Sequence, residues 1–265
     1  MSGDWRGVLG SAIGRRWRSR VAAGFLAGGL AVVAVPGAAA QPPKEGAALA
    51  EPAAPVAVEV DSWSWTATAA LVSDYRYRGT SFSDRDPVVQ GSLQVAHRSG
   101  VYAGLGTTTL ASYGGSNVEV DAFAGYGTEA AGFTWDIGYL GILFVGSPGQ
   151  SLNFHEVYGS VSRTIGPVDV TLLSINYAPA QNGLGGQEGV YATTGAAYSL
   201  PALPLTVSAK LGFEDGAFGT NKVDWSLALD YAPLPYLSAT IEYVDTNKPG
   251  RLVGAGPVAT LRLTF

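Results

Sequence analysis

From Trp63 to the C-terminal Phe265, apolar and polar residues alternate with a period of two, the pattern of strands that show one face to apolar surroundings and the other to water. In 257–265, Ala259, Leu261, Leu263 and Phe265 share one face, and Thr260, Arg262 and Thr264 share the other. In 223–231, Val223, Trp225, Leu227, Leu229 and Tyr231 alternate with Asp224, Ser226, Ala228 and Asp230. Applied to the whole chain, the periodicity predicts twelve strands: 63–78, 87–97, 101–110, 118–127, 132–144, 152–163, 167–177, 188–199, 203–213, 222–232, 236–245 and 257–265. Most approach the roughly 9–11 residues with which a tilted strand crosses a bilayer. The seventh changes phase, from Val168, Val170 and Leu172 to Leu173, Ile175 and Tyr177; a bulge or a displaced boundary would each produce that change.

Prolines, loops and aromatics all bear on this assignment. Proline cannot donate to a strand ladder, and Pro148, Pro179, Pro201, Pro204, Pro233, Pro235 and Pro249 are expected between strands. Pro87, Pro167 and Pro257 are expected at strand starts. Connections after the odd-numbered strands read as long and rich in Gly, Ser, Asn and Asp, while those after even-numbered strands read as short. Outer-membrane barrels have that asymmetry, with short periplasmic turns and longer external loops. Trp63, Trp65, Tyr126, Phe133, Tyr198, Tyr231 and Phe265 are expected at the periplasmic edge, and Tyr75, Tyr77, Phe213, Trp225 and Tyr243 at the outer edge. The expected fold is therefore all-β: a transmembrane antiparallel up-and-down β-barrel of about twelve strands spanning 63–265. A soluble sandwich would bury its aromatics mid-strand and carry more charge outside.

Composition agrees with that reading. Charged residues make up 14% of the 265, against roughly 25% in soluble domains. After the leader, no run of apolar residues reaches the roughly 18 that a helical span requires. Residues 1–40 read as a secretory signal peptide: Arg15, Arg16, Arg18 and Arg20 precede an apolar run from Val21 to Val35, with Ala38-Ala39-Ala40 as the cleavage pattern near Ala40. The Pro- and Ala-rich stretch 41–62 reads as a flexible lead-in. An autotransporter would need a passenger ahead of its barrel, and this lead-in is about twenty residues long. The leader holds five arginines and Asp4, so the mature chain has 11 basic and 20 acidic residues, net −9. That balance argues against a nucleic-acid partner.

No catalytic constellation stands out, and the chain is not expected to be an enzyme. It has no cysteine, and its two histidines are His97 and His155. His97 is expected at a periplasmic turn, and His155 faces away from its neighbour Glu156. Asp84-Arg85-Asp86 and Asn117-Val118-Glu119 offer oxygen ligands without calcium-loop spacing. No metal site and no cofactor are expected. The candidate functional residues are instead pore-lining charges: Asp74, Glu119, Asp121, Asp136, Glu156, Glu214, Asp224, Asp230 and Glu242, with the cations Arg76, Arg78, Lys210 and Arg262. Nine carboxylates against four cations give a lining of net −5, which favours cations in a wet pore.

Several segments resemble the TorF family of porins, Gcw_chp-type outer-membrane proteins of proteobacteria. The resemblance is carried by Ser73–Gly106 (SDYRYRGTSFSDRDPVVQGSLQVAHRSGVYAGLG), in which D-Y-R-x-R-G precedes D-P-x-x-Q-G. Val118–Tyr126, Phe154–Ser162 and the closing pieces WSLALDY and IEYVDTN support it. It implies an outer-membrane channel and names no solute. The ending LRLTF resembles the closing strand of many outer-membrane proteins, where a terminal Phe such as Phe265 marks the chain for the barrel-assembly machinery. The expected partners are outer-membrane lipid, that machinery, and small solutes or ions.

The expected function is passive diffusion of small hydrophilic solutes or ions across the outer membrane. Barrels of about eight strands fill with side chains, whereas those of about sixteen to eighteen hold water. Twelve lies between, so a closed barrel acting structurally or adhesively through its external loops is the alternative.

Overall fold

The computed structural model describes residues 62–147, 152–248 and 250–265. The leader and all but the last residue of the lead-in lie outside the described residues. The strands are β1 (Trp63–Val72), β2 (Arg76–Tyr77), β3 (Thr80–Ser81), β4 (Val88–His97), β5 (Val101–Tyr113), β6 (Ser116–Ala130) and β7 (Phe133–Val145). They continue with β8 (Phe154–Ile165), β9 (Val168–Gln181), β10 (Gln187–Ser199), β11 (Leu205–Gly216), β12 (Gly219–Leu234), β13 (Leu237–Thr246) and β14 (Gly256–Thr264). All except β2 and β3 form one closed barrel in which each strand pairs antiparallel with its neighbours. This is the twelve-strand barrel expected from the alternation.

Alternation dictates which side chains face outward. Along β12, Leu227 is 54% exposed on the outer wall while Ser226, one residue earlier, is 5% exposed and points inward. Trp65, Ile137 and Ile241 stand on the same outer surface as Leu227. No described helix is long and apolar enough to cross a membrane; here the strands carry the apolar belt. The phase change in β9 is a bulge. The β8–β9 register shifts between Val161 and Ser162, so Leu172 and Leu173 both face outward.

Three expectations need correction. The first strand ends at Val72, not Arg78: after Ser73 the chain leaves the wall, and β2 and β3 form a separate hairpin. Tyr75 and Tyr77 are thus buried inside (2% and 0% exposed) and belong to no outer girdle. Pro179 and Pro233 lie within β9 and β12 rather than between strands. Each sits where the register shifts, beside Ala178 and Leu234, so no ladder donor is lost. Finally, the connections after β5 and β11 are two-residue turns, because both strands run on beyond their expected ends. Gly114 and Gly115 permit the first of these, with φ of 51° and 89°.

The barrel closes on a short seam. β1 pairs with β14 from Thr68↔Thr264 to Val72↔Thr260, half the length of its ladder with β4. Reciprocal backbone hydrogen bonds between Ala67 and Phe265 (3.0 and 2.8 Å) extend that seam by one pair.

Candidate functional site

Residues 73–86 turn inward from the outer end of β1 and enter the lumen. β2 and β3 pair as Arg76↔Ser81 and Tyr77↔Thr80 around a two-residue turn, Arg78-Gly79. Both turn residues have positive φ, 49° and 80°, the requirement of a type I′ hairpin. Gly79 is needed twice over, since a Cβ there would stand 2.3 Å from Thr246 Cγ2. Asp74 knits the hairpin base by accepting from Arg76 Nε (2.6 Å) and Ser81 Oγ (2.6 Å). Tyr75 and Tyr77 each pack against Phe82, with ring centroids 6.0 and 6.1 Å apart, and Phe82 continues the contact to Tyr113.

The hairpin is fastened to several walls. Tyr75 Oη donates to Glu119 Oε1 on β6 (2.8 Å). Arg76 Nη1 donates to the Gly254 carbonyl (2.7 Å), and Ser81 N to the Leu252 carbonyl (2.7 Å), both in the loop between β13 and β14. Arg78 at the tip spans β8 and β11. Its Nη2 donates to both oxygens of Glu156 (2.9 and 2.8 Å), and its Nη1 to Glu214 Oε1 (2.9 Å). Lys222 on β12 pairs with the other Glu214 oxygen. Asn176 donates to Glu156 (3.0 Å), and Tyr191 Oη to Asp224 (3.0 Å).

The guanidinium is also surrounded by rings, with its carbon 4.5 Å from the Tyr77 centroid, 4.4 Å from Tyr191 and 5.3 Å from Phe218. Such contacts strengthen when water is excluded. Arg78, Glu156, Glu214, Lys222 and Asp224 are all buried. Burial works against the charge of Arg78, but Glu156, with Tyr77 and Glu214, outweighs it and holds the group above its ordinary pKa. Burial also pushes the Tyr77 phenol up, so it stays protonated.

Below the hairpin, large rings lie flat against the wall because glycines stand beside them. A Cβ at Gly104 would come 2.3 Å from Phe123, one at Gly125 2.4 Å from Tyr102, and one at Gly138 2.3 Å from Tyr158. Tyr102 Oη reaches across to Asp136 (2.9 Å) and Tyr158 Oη (2.7 Å). The lumen there is accessible to solvent. Asp136, Asp230, Glu242 and Arg262 keep part of their surface accessible, and Lys210 is exposed.

The expected pore-lining residues therefore divide. Asp74, Arg76 and Arg78 lie on the hairpin, not on the wall; in the sequence their alternation with Tyr75 and Tyr77 continues the pattern of β1. Glu119, Asp121, Glu156, Glu214 and Asp224 point inward and meet the hairpin level, while Asp136, Lys210, Asp230, Glu242 and Arg262 point inward elsewhere. Sequence reasoning missed Lys222, Tyr191 and Phe218. Lys222 was legible, two residues before Asp224 on the same face. His155 stacks on Tyr139 (5.5 Å) on the outer wall, and His97 lies 4.6 Å from Trp63. Among the described residues, no group of three or more His, Cys, Asp or Glu side chains is placed to hold a metal.

The family of bacterial proteins of unknown function called Gcw_chp matches residues 51–260. The chain belongs to that family. The segment that most resembled TorF is the Gcw_chp chain's luminal hairpin together with β4 and the first part of β5. No curated protein matches. Among solved structures, the barrel is similar to a KdgM porin at 9% identity and a TM-score of 0.53, covering 76% of this chain and 98% of that one. A NanC porin is similar at 13% identity and a TM-score of 0.51, covering 76% and 99%. A KdgM porin in complex with disordered oligogalacturonate gives 10% identity and a TM-score of 0.50, covering 76% and 96%. At these identities the likeness concerns the fold, a porin-like barrel.

Proposed function

We propose that this Gcw_chp protein is an outer-membrane channel of the TorF type for small hydrophilic solutes or ions, with its outer half occupied by the hairpin at rest. The observation that carries the reading is a closed barrel with an apolar outer wall around a polar, charged lumen. A secreted chain with that surface partitions into a bilayer, and its polar interior offers solutes a path that lipid does not. Acidic oligosaccharides of the kind held by the KdgM relative suit this lumen poorly, since its inward carboxylates outnumber its cations. Small cations and neutral polar solutes suit it better.

A second reading, a non-conducting barrel that acts through its outer loops, is favoured by one observation: the hairpin and its partners are packed closely enough to bury their charges. Planar-bilayer recordings separate the two. The channel reading expects conductance that rises when residues 74–86 are replaced by a short Gly-Ser link. A barrel that inserts and conducts nothing in either form supports the second reading.

A further inference from the structure

The Arg78 cage has the features of a ligand site occupied by the protein's own side chain. Two carboxylates accept three hydrogen bonds from the two terminal nitrogens of the guanidinium. Three aromatic rings surround it within 5.3 Å. All but Tyr77 are contributed by the wall or by the β11–β12 turn, so the cage would outlast departure of the hairpin. The occupant is held at some cost, because Arg78 adopts a left-handed φ of 49° in a turn position that suits Asn. The hairpin's own strands share only two residue pairs, so it is held in the lumen by its bonds to the wall and the β13–β14 loop. If it swings out, Glu156 loses its cation and keeps only Asn176, Glu214 keeps Lys222 on one oxygen, and both face Tyr191 and Phe218.

We propose that this vacated cage binds guanidinium-bearing solutes, which compete with Arg78 and are the substrate class of the channel. The geometry selects a planar guanidinium over an ammonium. A flat cation can lie against ring faces while its edges address two carboxylates, whereas an ammonium is a point charge without that fork. This inference rests on the channel reading for its physiological meaning, but binding can be tested without conduction.

The probe is methylguanidinium, with methylammonium and sodium as controls, and the background is Arg78→Ala. In planar bilayers, millimolar methylguanidinium is expected to block R78A current at concentrations about tenfold lower than methylammonium does. The wild type, in which Arg78 competes for the cage, is expected to need higher concentrations for the same block. Adding Glu156→Gln with Glu214→Gln should abolish the preference. The second readout is heat-modifiable gel migration, in which methylguanidinium should raise the unfolding temperature of R78A more than methylammonium does. If R78A refolds poorly, methylguanidinium is expected to raise its refolding yield. Equal effects of the three cations in these measurements overturn the proposal. A barrel that conducts nothing even with residues 74–86 replaced, while the unfolding temperature of R78A still rises selectively, leaves the cage standing and removes the channel reading.

Discussion

The two halves of this lumen are built from the same residue types and behave differently. In the outer half, Glu156, Glu214, Arg78 and Lys222 are packed with Tyr77, Tyr191 and Phe218 and are buried like a protein core. Toward the opposite end, Lys210, Asp230 and Arg262 stay accessible to solvent, and rings such as Tyr102 are pressed to the wall over glycines. Inward-facing charge is therefore no measure of an open channel. Above, carboxylates act as fasteners for a hairpin; below, they set the potential that a solute would meet. Fasteners must be paired to be tolerated, whereas solvated charges need no partner.

This contrast can be broken in graded steps. The largest effect should follow replacement of residues 74–86 by a Gly-Ser link: conductance in planar bilayers rises several-fold, while the barrel still migrates as a folded species. An unchanged conductance would show that the hairpin does not limit flow. Next, Arg78→Ala should cost about 3–5 kcal/mol, because buried Glu156 loses its cation and Glu214 is left with Lys222 alone. Urea unfolding in lipid vesicles measures it, and Asp230→Asn at the wet end should cost far less.

Leu227→Arg puts a charge against lipid and should cost about 2–4 kcal/mol near the midplane. Thr260→Arg, half-buried and inward, should be mild, and Ser226→Arg should fall between, since it overfills the packed half at about 1–3 kcal/mol. Folded yields of the three variants check that order. The smallest effect concerns selectivity in the hairpin-deleted channel. There, Glu156→Gln with Glu214→Gln should lower cation preference more than Asp230→Asn with Glu242→Gln. Reversal potentials should show it at low salt and lose it at 1 M, where screening shortens to about 3 Å.

The barrel was legible in the sequence because an apolar outer wall and a polar interior impose a period of two on every strand of the barrel. Leu227 and Ser226 show how little else is needed. The bulge near Leu172 left its trace as a change of phase. The hairpin was not legible by the same rule: Tyr75 and Tyr77 alternate with Asp74, Arg76 and Arg78 whether the segment lines the wall or crosses the lumen. The signal of departure was local, Gly79 and the Ser-rich stretch that follows. Pairing was out of reach altogether, since Glu156 and Glu214 lie 78 and 136 positions from the arginine that joins them. Nothing in either neighbourhood names the other.

Those separations have a consequence for how the molecule is made. The hairpin follows the first strand, yet its partners arrive with β6, β8, β11 and finally the loop before β14, where Gly254 lies 178 positions from Arg76. Contacts of such long range form late and slowly. Because β1 is also half of the closing seam, the hairpin hangs at the edge of the sheet until that seam is joined. It must therefore be gathered in while the sheet curls, like a cork stitched to the lip before the bottle is rolled shut, and its last bonds form together with the last strand.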